Sequence, residues 1–342
     1  MTTHKKNLAL LVFFILAVVG FAAFRNQINK QASRPANLHE VQIEKGASFN
    51  DVSSDLADKG VITSETIFKI YGLLSGNFDK IKPGRYFLPQ NIEISKLVGI
   101  LVHGPEEVLV TVTPGMTLAE VDDELSDALI IRPGELINLN AENLRKDYPW
   151  LPEKKIGVIG GPLEGFMMPD TYKFFVGTDA ESAARVFLEN FQKKAMAAGG
   201  LQFFSKQGNI LKIINLASIL EKEVPDNSER RLVAGILNNR LNAGMPLQTD
   251  AVLIYGECGG RFLNCPALTK SDYKKDFDYN IYIYKGLPPG PISNPSIDAI
   301  SAALNPQKTN DWYYLSDPKT GKTYSSQTLD QHNDYRAKYL GL

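Results

Sequence analysis

The sequence predicts an α+β protein in three parts: an N-terminal membrane helix, a small α/β module, and a mixed α+β domain built around a helix pair. Three observations carry this. An uncharged run, LALLVFFILAVVGFAAF, occupies residues 8–24. Short alternating stretches are interspersed with segments of helical period over the remainder. Two long helical periods, residues 209–224 and 227–243, are separated only by Pro225 and Asp226. The 342 residues suffice for two or three domains, and 44% are hydrophobic, enough for a substantial core. With 37 basic against 38 acidic residues, no basic field exists to collect phosphates, which argues against nucleic-acid binding.

Residues 1–7 read as a cytoplasmic tail, with His4, Lys5 and Lys6 ahead of the apolar run and Arg25 closing it. Seventeen residues is the short end for a membrane span. A cleaved signal peptide is the competing reading, from the small residues Gly20, Ala22 and Ala23. The run exceeds a usual signal core and no small-x-small site follows it. We therefore read residues 8–24 as a single-pass anchor in the cell (inner) membrane, with the rest extracytoplasmic. Residues 25–38 are polar and form a linker.

Residues 39–104 make a small module. EVQIE (40–44) alternates like a strand and Lys45-Gly46 turns. Residues 48–59 have the helical face Phe49, Val52, Leu56 and Ala57, and Gly60 stops them. Residues 63–74 form a second helix, with Ile67, Ile70, Tyr71 and Leu74 expected inside. Residues 85–88 are a short strand, and a third helix is expected over 95–103. With its opening Gly46-x-Ser48-x-x-x-Val52, this order is similar to LysM-type folds, many of which hold N-acetylglucosamine polymers. A structural spacer of the same shape remains an open alternative.

Residues 105–342 are expected to be the catalytic domain. A strand over 107–113 and the Pro114-Gly115 turn lead into an amphipathic helix, 117–129, carrying Leu118, Val121, Leu125 and Leu129. Residues 162–172 are expected to form a hairpin packed on the core, with Glu164 and Asp170 as the acids that can line a site. A helix over 180–198 leads to the central one, 209–224. Projected at about 100° per residue, Glu221 falls among Ile210, Ile214 and Ala217. Pro225 stops this helix, so Glu221 lies in its last turn. An apolar face and a helix C-terminus both disfavour a negative charge, which suits a general acid. The competing reading is a solvated or salt-bridged glutamate. Glu223 projects to a different face.

Asp226 can cap the second helix of the pair, whose buried stripe is Leu232, Val233, Ile236, Leu237 and Leu241. After Gly244, the stretch holding Gln248, Thr249, Asp250 and Tyr255 offers the amide, hydroxyl, carboxylate and aromatic groups that a sugar-binding wall needs. Cys258 and Cys265 are the only cysteines, and the four scattered histidines supply no zinc pattern. In an oxidising compartment these cysteines are expected to pin their loop as a disulfide. Tyr279 to Tyr284 alternates as a strand, placing three tyrosines on one face. A loop rich in proline and glycine (285–295), a helix (296–304), a hairpin (311–316 with 323–326) and a terminal helix (327–340) complete the chain. No phosphate loop, nucleophile elbow or dinucleotide fingerprint is present.

Several stretches, in order, resemble the MltG/YceG family of endolytic murein transglycosylases: Leu163-Glu164-Gly165, Pro169-Asp170-Thr171-Tyr172, Ala217 to Glu223, Asn239-Arg240-Leu241, Leu247 to Asp250, Tyr255-Gly256, Tyr279-Asn280-x-Tyr282, and Gly286 to Ile292. The likeness runs from about Glu107 to the end. It implies cleavage of the MurNAc–GlcNAc bond of nascent glycan, leaving a 1,6-anhydro end. It places the catalytic acid on the first glutamate of Glu-x-Glu, here Glu221, and implies substrate contacts from Gln248, Thr249, Asp250, Tyr255, Asn280, Tyr282 and Glu164. Ala251 and Ile281 depart from the family pattern beside those contacts. No metal or organic cofactor is implied, and cell-wall synthases are expected company. A hydrolase would need a second carboxylate, for which Glu164, Asp170, Glu223 and Asp250 are available. A non-catalytic glycan-binding scaffold is the third reading.

Overall fold

The computed structural model describes residues 38–153, 159–199, 207–317 and 320–341. The expected anchor, residues 8–24, lies outside them. Among the described residues no helix is long and apolar enough to cross a membrane. The chain divides into two compact units, one of residues 1–108 with 174–178 and one of 109–173 with 179–342.

In the first unit β1 (Leu38–Ile43) pairs antiparallel with β2 (Gly84–Pro89), Leu38 opposite Pro89 and Ile43 opposite Gly84. Between them lie α1 (Phe49–Asp58) and α2 (Glu65–Leu74), and α3 (Ile94–His103) follows. Ser48 starts α1 through a reciprocal capping box with Asp51. Val41, Leu56, Phe68, Leu88 and Leu97 meet in one core. The strand–helix–helix–strand order is as expected, but the inner face of α2 is not. Phe68 and Gly72 face the core, whereas Ile70 and Leu74 are exposed. The reason is a close fit: a Cβ at Gly72 would lie 2.4 Å from the Phe49 ring, so the glycine lets α2 turn this side inward.

In the second unit the strands are short. β3 (Glu107–Val112) pairs with β4 (Asp170–Phe175), and β5 (Tyr313–Ser316) pairs antiparallel with β6 (Thr323–Ser326). Residues 162–172 are therefore not a hairpin. Leu163, Phe166, Met167 and Met168 are buried, and the chain then enters β4. Thr117 caps α4 (Leu118–Asp127) with Glu120. Leu129 lies beyond that helix at φ +57° and is exposed, so it drops out of the expected stripe. The remaining helices are α5 (Glu142–Asp147), α6 (Ala180–Gly199), α7 (Gln207–Glu223), α8 (Arg230–Asn242), α9 (Asp250–Glu257), α10 (Ile297–Leu304) and α11 (Leu329–Tyr335). Helix α7 is the axis. Every residue from Ile214 to Leu220 is buried, with α8, α9 and α10 packed on it. A helix covered all round has no solvent face to define its polarity. Residues 279–284 form turns: Tyr279 is buried and Tyr284 exposed, so the expected strand and tyrosine face are absent.

Candidate active site

Polar residues on α7 hold the loop of residues 285–295 against it. Asn215 Nδ2 donates to Pro288 O (2.8 Å), and Ser218 Oγ accepts from Ile292 N (3.0 Å). Asn294, fully buried, extends this web. Its N and Nδ2 donate to Met116 O, its own O accepts from Gly115 N (2.9 Å), and Oδ1 accepts from Met167 N (2.8 Å). The turn before α4, the segment before β4 and the loop before α10 thus converge beside the last turn of α7. Gly115 closes this approach, since a Cβ there would touch Lys222 and Glu221.

Two glutamates end α7, and their surroundings differ. Glu221 is not isolated among apolar side chains, which corrects the sequence expectation. Its carboxylate accepts from Arg230 Nη2 (2.8 Å) and Nη1 (3.2 Å), from Ser296 N (2.8 Å) and from the Ser296 hydroxyl. The two side chains of this ion pair are 7% and 5% exposed. Arg230 Nε also donates to Val224 O (3.0 Å), and Nη1 to Ser296 Oγ (2.9 Å). Ser296 is the N-cap of α10. Glu221 therefore faces a guanidinium and the positive end of a helix, a set of partners that matches a carboxylate anion. The projection along α7 could not show this, because both partners come from other helices.

Among the described residues no cation pairs with Glu223. Burial pushes its carboxyl up to about 7, and the neighbouring Asp250 charge acts in the same sense. Its Oε1 accepts from Ala251 N (3.2 Å) at the start of α9, and Tyr314 also hydrogen-bonds it. Asp250 is exposed and accepts at Oδ1 from the hydroxyls of Tyr282 and Tyr273, whose rings meet edge-on at 4.7 Å. Arg240 holds the wall together, donating to Leu247 O (2.6 Å) and Trp312 O (2.7 Å). A near-neutral acid thus sits beside an open carboxylate–tyrosine cluster.

The residues expected to touch substrate separate by exposure. Gln248 is exposed at φ +55°, and it, Asp250 and Tyr282 lie together through Gln248 N to Ile281 O (3.1 Å). Thr249 is buried at the N-cap of α9. Asn280 is fully buried and spans its own turn, Nδ2 to Lys275 O (2.7 Å) and Tyr282 N to Oδ1 (3.1 Å). Glu164 and Tyr255 are core residues. Glu164 accepts from Leu118 N, the first residue of α4, and from Tyr255 Oη (2.9 Å). Burial drives Glu164 up to about 8. Asp170 is held low by Lys194, Thr171 and Asn190 in an exposed cluster and is not among these groups. Cys258 and Cys265 are bonded, Cα atoms 5.9 Å apart. Their loop seats on α4 through Phe262 N to Glu120 (3.1 Å), and the Phe262 ring covers Lys222 Nζ at 3.7 Å. Among the described residues no group of three or more His, Cys, Asp or Glu could hold a metal ion.

Sequence reasoning missed Arg230, Ser296, Tyr273 and Tyr314. For Arg230 a signal existed: it stands three and seven positions before Val233 and Leu237, on the buried stripe of α8.

The profile of the YceG-like family matches residues 41–338. A protein named endolytic murein transglycosylase from Bacillus subtilis is 27% identical, over 92% of this chain and 87% of its own length. One of the same name from Streptococcus pneumoniae is 26% identical over 97% of this chain, which spans only 65% of that relative. A crystal structure of a yceG-like protein from Listeria monocytogenes is similar with a TM-score of 0.58 at 29% identity, covering 87% of this chain and 98% of the other.

Proposed function

The chain belongs to the YceG-like family, and from that premise we propose that it is an endolytic murein transglycosylase; departing from the placement on Glu221 that the family resemblance implies, we take Glu223 as the proton donor on the ground of its surroundings. The observation that carries the choice is the contrast in surroundings: Glu221 is filled by four donors, while Glu223 is raised to about 7 beside an open carboxylate–tyrosine cluster. An acid poised near neutral pH is what protonation of a leaving oxygen requires.

Protonated Glu223 donates to the glycosidic oxygen between MurNAc and GlcNAc as the bond to C1 breaks. The resulting carboxylate then takes the proton of the muramic acid 6-hydroxyl. That oxygen attacks C1 and closes the 1,6-anhydro ring, so no water enters the product. Exposed Gln248 and Asp250, with half-buried Tyr282 beside them, are the groups that would meet sugar hydroxyls, with Tyr273 supporting Tyr282. Glu221 fixes the end of α7 against α8 and α10. Residues 8–24 would anchor the protein in the cell membrane with the catalytic unit outside the cytoplasm. The strand–helix–helix–strand order of the first unit supports a LysM-like module. Nascent glycan near the membrane, and the synthases that make it, are the implied company.

A hydrolytic reading is kept open by one observation: Asp250 lies close enough to raise Glu223, so a second carboxylate is at hand to activate water. Mass spectrometry of glycan digested by the full chain separates the two. Anhydro-muramic ends from the wild type and none from Glu223→Gln are expected. Reducing ends would move the mechanism to hydrolysis, and full activity in Glu223→Gln would return the acid to Glu221.

A further inference from the structure

Helix α2 is apolar on two opposite sides. Phe68 and Gly72 face the core, where Phe68 stacks on Phe49 at 5.2 Å. On the other side Ile70, Leu73 and Leu74 are 43%, 65% and 73% exposed, and Phe78 just beyond is 46% exposed. At 100° per residue the three aliphatic residues occupy an arc of about 100° opposite Phe68 and Gly72. Thr66 shares that arc, so within the helix it carries no charge. Lys69, ion-paired with Glu65, stands at its margin, and beyond the helix end Phe78 is followed by exposed Asp79 and Lys80.

We propose that this outer face of α2 rests on the bilayer surface, with Leu73, Leu74 and Phe78 inserted among the lipids and the Glu65–Lys69 pair, Asp79 and Lys80 at headgroup level. The proposal rests on the reading of residues 8–24 as an anchor. Strand β1 begins at Leu38 in this same unit, so only residues 25–37 separate it from the apolar run. Thirteen residues, fully extended, reach at most about 45 Å. The unit is thus tethered within reach of the membrane, and the short tether makes a weak interfacial contact effectively intramolecular. An uncharged aliphatic stripe flanked by charged side chains has the chemistry of an interfacial helix. Its one aromatic, Phe78, stands without the cluster of amide and carboxylate partners that would hold a sugar. Four side chains are also a small area beside the roughly 800 Å² per partner that a stable dimer buries.

The test uses the full chain in phosphatidylethanolamine–phosphatidylglycerol nanodiscs, with Ser75→Cys carrying an environment-sensitive fluorophore. Cys258 and Cys265 are already bonded to one another. Quenching by lipids spin-labelled near the headgroup should exceed quenching of the Leu73→Ser/Leu74→Ser form by about threefold or more, at unchanged melting temperature. Equal quenching in the two forms, with both retained in the nanodiscs, overturns the docking and leaves the anchor standing. If the chain does not stay in nanodiscs the anchor reading fails. Docking is then read from sedimentation with vesicles of the same composition. Sedimentation abolished by the double substitution supports the docking, and none by the wild type overturns it. Glycan retention or dimerisation lost in the double variant, with lipid contact unchanged, also overturns it.

Discussion

Glu221 and Glu223 stand two residues apart in the last turn of one helix, yet they meet opposite environments. Around Glu221 the fold supplies a guanidinium, a backbone N–H and a hydroxyl, all suited to an anion. Around Glu223 it supplies burial, one N–H, a phenol and the negative neighbour Asp250. On the proposed reading the two carboxylates divide the labour of a site, Glu221 tying helices together and Glu223 moving the proton. The difference is made by what α8, α9, α10 and β5 bring to the end of α7.

The sharpest way to break this comparison is to remove each carboxyl in turn. Glu223→Gln should lower turnover by about 10²–10⁴-fold with the melting temperature little changed, as for loss of a general acid. Glu221→Gln should do the reverse in kind. It leaves Arg230 buried without its counter-ion, at a cost of about 3–5 kcal/mol by denaturant unfolding. The double change Glu221→Leu/Arg230→Met should recover most of that loss, because an apolar pair of similar volume removes the unpaired charge. If Glu221→Gln is as stable as the wild type yet inactive, the assignment of roles is reversed.

A second buried acid sharpens the contrast in pH. Glu164 is raised from 4.5 to about 8 by burial, so the folded state holds its proton more tightly than the unfolded state. Its contribution to stability is complete below about pH 4.5 and is lost as the pH rises to about 8. A decline of up to about 3 kcal/mol between pH 5 and pH 8 is expected from Glu164 in chemical denaturation, and Glu164→Gln should remove that part, leaving the part of the same sign that Glu223 contributes. The same sign governs activity. Turnover should fall above about pH 7 as Glu223 loses its proton. Asp250→Asn should move that limb to lower pH, since one of the two raising influences is removed. A limb unmoved by Asp250→Asn would detach Asp250 from the acid. The smallest effect is expected at the cysteines. Their loop closes over seven positions, so Cys258→Ser/Cys265→Ser should cost about 2 kcal/mol by the loop-entropy relation.

Elements were more legible in the sequence than faces. Capping boxes at Ser48 and Thr117 and the stop at Pro225 mark helix ends with local chemistry, and those ends agree within a few residues. Faces depend on partners distant in sequence. The period of α2 reads Ile70 and Leu74 as core, but Gly72 against Phe49 turns the helix the other way. The stretch 279–284 alternates like a strand, but Asn280 ties its own backbone into turns instead. At the end of α7, the helical projection gave Glu221 an apolar setting, because Arg230 and Ser296 were not on the helix being projected. Of the residues chosen by type for a sugar-binding wall, Gln248 and Asp250 are exposed and Tyr282 is half-buried. Thr249, Tyr255, Asn280 and Glu164 share those types and are buried.

The contact between Ser296 and Glu221 spans 75 residues of chain, and the contact between Asn294 and Met116 spans 178. Closing such long loops is slow, and its entropy must be met before the contacts reward it. During synthesis α7 emerges well ahead of α10, so for that interval Glu221 has no Ser296 and the turn before α4 has no Asn294. The end of α7 can be locked only when nearly the whole chain has been delivered. On the proposed reading, the site beside that helix end cannot be complete before the C-terminal portion has arrived and folded.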